Sequence, residues 1–251
     1  MVVVYATLII AVFVPSKRPR KRGSNDWAVQ ERVVGRMRGH LILIEGLDRS
    51  GKTTQTQILH NAIPSSSLIK FPDRTTKIGT IINHYLTDHN FSLSDQAAHL
   101  LFSANRWELA ASIEEQLHAG HTVIMDRYIY SGIAYSLAKL ETSSLPEMAS
   151  VEWLYAPDRG LPKPDVTMFL TLDIAEMAAR KSWGEERYEQ TKFQEVVKRC
   201  FLRVLDPNTD PSVAIVDVNK LGIEQVASKI WSIVEERQLH LPTEAPLARL
   251  S

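Results

Sequence analysis

Residues 41–54, with the sequence LILIEGLDRSGKTT, constrain the fold of this 251-residue chain more than any other stretch. A run of strand-forming residues ends at Gly46, and Gly51-Lys52-Thr53 follows four residues later at the start of a helical pattern. This G-x-x-x-x-G-K-[ST] spacing between a strand and a helix is that of a phosphate-binding loop (P-loop), whose backbone amides surround anionic oxygens. In such a loop the lysine reaches the β and γ phosphates and the threonine hydroxyl binds Mg²⁺. The stretch therefore predicts a nucleoside triphosphate site, and a plain glycine turn is the alternative.

Composition limits what partners the chain can have. Its formal net charge is zero, so nothing attracts the whole molecule to nucleic acid or to an anionic membrane. We therefore expect no nucleic-acid partner and no stable membrane association of the folded domain. The single cysteine, Cys200, rules out a framework of disulfides within the chain and is typical of a reducing compartment. We expect a cytoplasmic or nuclear location, or both.

The chain divides into three parts. Residues 1–37 contain an apolar run and then a basic run, and we expect them to be disordered or outside the mature fold, with Met37 as a candidate start. The apolar run is similar to a signal-peptide core and the basic run to a nuclear or membrane-surface signal, and these readings stay open. Residues 38–240 alternate short apolar strands with longer helical segments, which predicts one α/β domain with a parallel sheet. Residues 241–251 are expected to form a frayed tail.

Five strands and seven helices are predicted within this domain. The strands cover residues 41–45, 67–70, 122–126, 166–170 and 213–216. The helices cover residues 52–61, 76–87, 94–119, 131–140, 174–181, 189–205 and 222–237. In the long third helix, Ser94 is the expected N-cap and Gly120 the expected residue after the C-terminus.

Charged residues follow the predicted strands at the edge where parallel sheets bind ligands. Asp126 ends the third strand, where a carboxylate that holds Mg²⁺ belongs, and an aspartate that caps a turn is the alternative. Arg74, Arg127 and Arg187 lie in loops on the same side. Because the planar guanidinium suits bidentate phosphate contacts, the three together indicate a second phosphate-bearing substrate.

Two further pairs of residues need an explanation. Asp48 places a carboxylate beside a triphosphate site, so it either faces solvent or accepts a hydrogen bond from a hydroxyl of the second substrate. Arg49, its neighbour, is placed to act as an arginine finger supplied by the same chain. Phe102 and Arg106 share a helix face, and spacing alone favours a core phenylalanine beside a surface ion pair over a pair that binds a base.

Six motifs carry a resemblance to a known family. They are DRSGKTTQ, FPDRTT, LLFSANRWE, DRYIYSGIAYS, GLPKPD and ERYE, at residues 48–55, 71–76, 100–108, 126–136, 160–165 and 186–189. In order and spacing they resemble the eukaryotic type of thymidylate kinase over residues 38–237. The resemblance implies the P-loop NTPase fold, with a five-stranded parallel sheet flanked by helices and a short lid. It also implies ATP and dTMP as substrates, Mg²⁺ as cofactor and a homodimer.

The resemblance also assigns roles to residues. It implies catalysis by Lys52, Arg49 and Asp126, and a metal site at Thr53 and Asp126. It implies ATP binding by Gly46, Leu47, Asp48, Arg49, Ser50, Gly51, Lys52, Thr53 and Thr54, with Arg180 and Lys181 from the lid. It implies dTMP binding by Asp48, Phe71, Arg74, Phe102, Arg106, Arg127, Gly132, Tyr135 and Tyr188.

In these implied roles, Asp48 accepts the sugar 3′-hydroxyl, while Phe102 stacks on thymine and Arg106 bonds its carbonyl edge. This replaces the reading from spacing alone. Another deoxynucleotide kinase or a UMP/CMP kinase of the same fold is the nearest alternative. A nucleoside kinase is disfavoured, because it has no use for the phosphate-binding arginines Arg74 and Arg127. A GTPase is disfavoured because its N-K-x-D motif is absent from this sequence, in which residues 219–222 read NKLG. A non-catalytic P-loop module does not fit the intact Lys52, Thr53, Asp126 and Arg49.

Overall fold

The computed structural model describes residues 37–142, 151–179, 187–188 and 190–251. In this part of the chain the strands are β1 (Leu41–Gly46), β2 (Ser66–Lys70), β3 (Thr122–Asp126), β4 (Val166–Thr171) and β5 (Val213–Asp217). The helices are α1 (Lys52–Ala62), α2 (Lys77–Thr87), α3 (Asp95–His118), α4 (Ile129–Thr142), α5 (Val151–Tyr155), α6 (Ile174–Ala179), α7 (Thr191–Val204) and α8 (Ile223–Glu236). A short 3₁₀ turn, Ala156–Asp158, follows α5.

The five strands form one parallel sheet in the order β2-β3-β1-β4-β5. β1 lies in the middle, where Leu43 pairs with Met125 of β3 and with Thr167 of β4. Every residue of β1 is buried, as expected for an apolar strand that is covered on both faces. The predicted α/β fold is confirmed. Because β1 and β3 are neighbours, the phosphate-binding loop after β1 lies beside Asp126 at the end of β3.

Helix ends follow the residues that the sequence indicates. The Ser94 hydroxyl accepts a hydrogen bond from the Ala97 amide at 3.2 Å at the start of α3, and Gly120 adopts a φ of 88° just after its end. α2 and α3 share a small apolar cluster separate from the main core, formed by Ile82, Tyr85, Leu86 and Ala98. Phe102 and Tyr188 pack against this cluster, so α2 and α3 supply one wall of a cavity beside the sheet.

The C-terminal tail differs from the frayed end that we expected. Arg38 donates to the Ala245 carbonyl at 2.7 Å and makes a bidentate ion pair with Asp165 at 2.7 and 2.8 Å. Arg249, near the end of the chain, pairs with Glu114 of α3 at 2.7 and 2.8 Å. These arginines hold residues 243–250 on the domain, and no local sequence pattern indicates such long-range pairs.

Other differences are small. The helix α5 was not predicted, because five residues are too few to show a helical period. Residues 1–36, 143–150, 180–186 and 189 lie outside the described residues, and these include Arg180 and Lys181 of the expected lid. None of the helices in the described ranges combines the length and the apolarity that crossing a membrane requires.

Candidate active site

The phosphate-binding loop connects β1 to α1, and two of its positions require glycine. A Cβ atom on Gly46 would lie 2.5 Å from the Ser50 hydroxyl and 2.7 Å from the Leu170 carbonyl oxygen, both closer than real contacts allow. Gly51 meets no such obstacle, but its φ of 97° lies in the left-handed region that other residues avoid. Gly51 is also the N-cap of α1, so the loop directs backbone amides and the helix N-terminus to one point.

Lys52 is the buried cation of this loop. Its ammonium group donates to the Leu47 carbonyl at 2.6 Å, and only 6% of the residue is exposed. Burial, together with the positive charge of Arg127, lowers the pKa of Lys52 to about 8. A phosphate group placed beside Lys52 would favour its charged form.

Thr53 and Asp126 meet at the point where the sheet and the loop converge. The Thr53 hydroxyl donates to Asp126 Oδ2 at 2.5 Å, and Asp126 is 1% exposed. The other carboxylate oxygen, Oδ1, is buried and has no hydrogen-bond partner among the described residues. A hydroxyl beside a carboxylate with an unsatisfied oxygen is the donor set that a hard cation such as Mg²⁺ prefers. The residues present therefore fit this ion.

A first cavity opens in front of the loop. It is lined by Arg49, Ser50, Gly51, Lys52, Thr53, Thr54, Gln55, Val218, Leu221, Gly222, Ile223 and Val226. Six of the residues expected to bind ATP, Arg49 to Thr54, line this cavity, and the side chains after β5 give it an apolar wall. Leu47 instead buries its side chain in the core, and Asp48 lines a different cavity.

That second cavity adjoins the loop on the side of α3 and α4. All nine residues expected to bind dTMP line it, namely Asp48, Phe71, Arg74, Phe102, Arg106, Arg127, Gly132, Tyr135 and Tyr188. They come from five separate parts of the chain, namely residues 48, 71–74, 102–106, 127–135 and 188. Phe102 and Arg106 share the face that the spacing predicted.

Asp48 is the point at which the loop contacts the second cavity. Its carboxylate makes an ion pair with Arg127 and accepts from the Tyr135 hydroxyl at 2.9 Å and from the Gln194 amide at 3.1 Å. Burial acts to raise the pKa of Asp48, but the charges of Arg127 and Lys52 outweigh it and hold this pKa below its usual range. Asp48 is therefore an anion that faces the cavity and not bulk solvent.

Arg127 is held in place by several groups at once. Its φ is 70°, and its guanidinium donates to the Gly46 carbonyl at 3.1 Å and to the Ser131 hydroxyl at 3.0 Å. Ser131 in turn donates to the fully buried Glu45 at 2.6 Å, and Glu45 also accepts from the Ser131 amide at 3.0 Å. We did not predict a role for Glu45, because an acidic residue at the end of a strand has no distinctive pattern.

Arg106 is paired inside the protein and not at its surface. Its Nε and Nη2 donate to Asp158 at 3.0 and 2.6 Å, and Arg106 and Asp158 are 2% and 0% exposed. The Ser103 hydroxyl also donates to Asp158 at 2.7 Å. The remaining nitrogen, Nη1, lies 3.1 Å from where a Cβ on Gly132 would be, so a side chain there would crowd the guanidinium. The sequence analysis did not single out Asp158, although the need for a counter-charge beside a buried arginine could have indicated such a residue.

One expected phosphate ligand has a different function. Arg187 donates to the carbonyl oxygens of Tyr85, Asp88 and Phe91 at 2.9, 3.0 and 2.7 Å, and so caps the C-terminal end of α2. It is not among the described residues that line the second cavity. The prediction for Arg187 was therefore wrong, whereas Arg74 and Arg127 both line the cavity. Capping carbonyls is a common use of arginine that its position after a strand does not reveal.

Comparison with known proteins gives a consistent result. The family model described as thymidylate kinase matches residues 44–230. A thymidylate kinase of Schizosaccharomyces pombe is 44% identical over 81% of this chain and 95% of its own length, and that of Homo sapiens is 41% identical over 85% and 97%. The solved structure of the thymidylate kinase from Candida albicans has 53% identity and a TM-score of 0.83, and the match covers 85% of this chain and 99% of that one. The chain therefore belongs to the thymidylate kinase family.

Proposed function

We propose that this protein transfers the γ-phosphoryl group of ATP to dTMP, giving dTDP and ADP, a step in dTTP synthesis. The observation that carries the proposal is that two neighbouring residues of the phosphate-binding loop line different cavities, Arg49 the first and Asp48 the second. One cavity contains the phosphate-binding loop, and the other combines arginines with an aromatic side chain, Phe102. The protein thus presents a triphosphate site next to a site for a nucleoside monophosphate.

In the acceptor cavity, Arg74 and Arg127 hold the dTMP phosphate, with Phe71 beside it. Phe102 stacks on thymine, and Arg106, oriented by Asp158, donates to the carbonyl edge of the base. Asp48 accepts from the sugar 3′-hydroxyl. Burial and the Asp48 carboxylate raise the pKa of Tyr135, so its hydroxyl stays protonated beneath the sugar. Tyr188, whose hydroxyl lies 2.8 Å from that of Tyr85, closes the cavity from the lid side.

Catalysis consists mainly of positioning and charge stabilisation, because the acceptor is already an anionic phosphate. Lys52 and Arg49 neutralise charge that develops on the transferred group. Thr53 and Asp126 would hold Mg²⁺, which would supply positive charge to offset the negative charge of the phosphates. Arg180 and Lys181 of the lid complete the ATP side.

The test is ADP formation by the purified protein with Mg-ATP and each of dTMP, UMP, CMP and thymidine. We expect dTMP to stimulate ADP formation far more than the others. Equal or greater stimulation by UMP or CMP would support the alternative, a different nucleotide kinase of this fold. Stimulation by thymidine alone would contradict any role for Arg74 and Arg127 in binding a phosphate.

We further propose a homodimer located in the cytoplasm, the nucleus or both, without a nucleic-acid partner. Ile81, Leu100 and Trp107 of α2 and α3 are 44%, 46% and 43% exposed, and these apolar side chains are available for an interface there. Analytical ultracentrifugation tests this assembly, and a Leu100→Glu variant that remains dimeric would contradict the interface.

A further inference from the structure

Residues 248–251 pair with a loop that begins two residues after Asp158, the counter-ion of Arg106. Residues 248–251, here called the C-terminal strap, lie antiparallel to loop 160–163. Three backbone hydrogen bonds of 2.8 to 2.9 Å join them, between Lys163 and Ala248, Gly160 and Leu250, and Leu250 and Leu161. Leu250 also packs against the main core. The strap therefore contacts both the loop and the body of the domain.

Arg249 ties the strap to α3 as well. Its guanidinium pairs with both carboxylate oxygens of Glu114, at 2.7 and 2.8 Å, and donates to the Gly160 carbonyl at 2.8 Å. The bond from Arg249 is the main reason that the pKa of Glu114 lies below its usual range. Glu114 lies eight residues after Arg106 on the same helix, so one end of this connection is rigid.

The other side of the loop carries the counter-ion of Arg106. Asp158 lies two residues before Gly160, and the preceding carbonyl, of Pro157, accepts from Trp107 Nε1 at 2.7 Å and from Ser103 at 3.1 Å. Residues 157–163 are thus held between α3 on one side and the strap on the other. A bidentate pair such as Arg106 with Asp158 tolerates little rotation of either plane.

We propose that the C-terminal strap is a positioning element for the base end of the acceptor cavity. By holding loop 160–163, it sets the carboxylate of Asp158 and, through it, the guanidinium of Arg106. The inference rests on the proposed function and concerns selectivity for the base. None of the described residues that line either cavity belongs to the strap, so it acts only through Asp158 and Arg106.

The effect should be specific to the acceptor. The cavity in front of the phosphate-binding loop is formed by residues 49–55 and by residues after β5, and the hydrogen bonds described for the strap reach neither group. Losing the strap should weaken dTMP binding and narrow the preference for dTMP over dCMP, which presents an amino group where thymine has a carbonyl. ATP binding should stay the same.

The test compares the complete chain with one that ends at Leu247 and with a control that ends at Leu250 and lacks only the exposed Ser251. KM for dTMP and for ATP is measured, together with kcat/KM for dTMP and dCMP. We expect KM for dTMP to rise by about 5- to 100-fold without the strap, since remote displacements near 1 Å can cost about 10²-fold. The KM for ATP of the shortened chain should change by less than about twofold. Both KM values of the control that ends at Leu250 should also change by less than about twofold.

Point variants keep the test decisive if the shortened chain does not fold. Arg249→Ala should raise KM for dTMP by less than the shortening of the chain does. Arg249→Lys should raise it less than Arg249→Ala does, and Arg237→Ala should leave it unchanged. Arg237 is a matched control because it also donates to backbone carbonyls, of Pro211 and Ser212, but away from the cavity. A parallel rise of both KM values, or no rise in KM for dTMP, overturns the proposal. A complete chain with no dTMP-dependent activity overturns the proposed function itself.

Discussion

Replacing Asp158 by asparagine keeps the shape of the side chain but removes the buried negative charge beside Arg106. Arg106 would then carry an unpaired positive charge with almost no access to water, because arginine is always charged in proteins. Removing one partner of such a pair costs about 3–5 kcal/mol of unfolding free energy. For a domain of this size each kcal/mol lowers the melting temperature by about 2–4 °C, so we expect a decrease of roughly 6–20 °C.

The assay is thermal unfolding followed by circular dichroism, with Glu152→Gln as the matched control. Glu152 pairs with Arg159 at 3.3 Å, but both side chains are at least half exposed, so its loss should change the unfolding free energy by less than about 1 kcal/mol. The double variant Arg106→Met with Asp158→Leu should recover most of the stability, because apolar replacement of a buried pair is often neutral. It should not recover dTMP binding.

Two results would refute this reasoning. One is a melting temperature for Asp158→Asn that falls no more than that of Glu152→Gln. The other is normal dTMP affinity in the double variant, which would show that Arg106 does not contact the base.

Three further changes test the site. Arg49→Ala should lower turnover by about 10³-fold or more, as for other arginine fingers, and unchanged turnover would contradict its catalytic assignment. Phe102→Ala should weaken dTMP binding by about 1–3 kcal/mol, on the scale of base–aromatic stacking, and a loss confined to ATP affinity would place Phe102 on the wrong side. Because the pKa of Lys52 is about 8 and phosphate binds its charged form, ATP affinity measured by calorimetry should be constant below pH 8 and fall at higher pH. An affinity that is constant up to pH 9.5 would contradict this role for Lys52.

The strands were predicted closely because their evidence is local. β3 was predicted to the residue, and β1 and β4 extend one residue beyond the prediction. Short apolar runs bounded by turn residues are enough to identify buried strands in a parallel sheet. The family motifs predicted that Asp48, Phe102, Arg127 and Tyr188 line one cavity. Helical spacing alone did not predict this, because it favoured a core phenylalanine at position 102.

Other features depend on residues far apart in the chain. Arg187 was expected at a phosphate but caps the end of α2, some 100 residues earlier, because the carbonyls there lack partners within the helix. Residues 241–251 were expected to fray, yet Arg38 and Arg249 attach them to the domain. The spacing of apolar residues along the sequence does not predict such contacts, because they depend on which surfaces the folded sheet brings together.

By itself, the sequence determined the phosphate-binding loop. Its residues Gly46, Gly51, Lys52 and Thr53 lie within eight positions of one another and act through local backbone geometry and charge. It also determined the alternation of strands and helices that places this loop at the edge of a parallel sheet. The tertiary structure alone decided which charges meet. Asp48 pairs with Arg127, and Arg106 with Asp158, because the sheet order and the packing of α3 and α4 bring these side chains together in a buried region where each ion needs a partner.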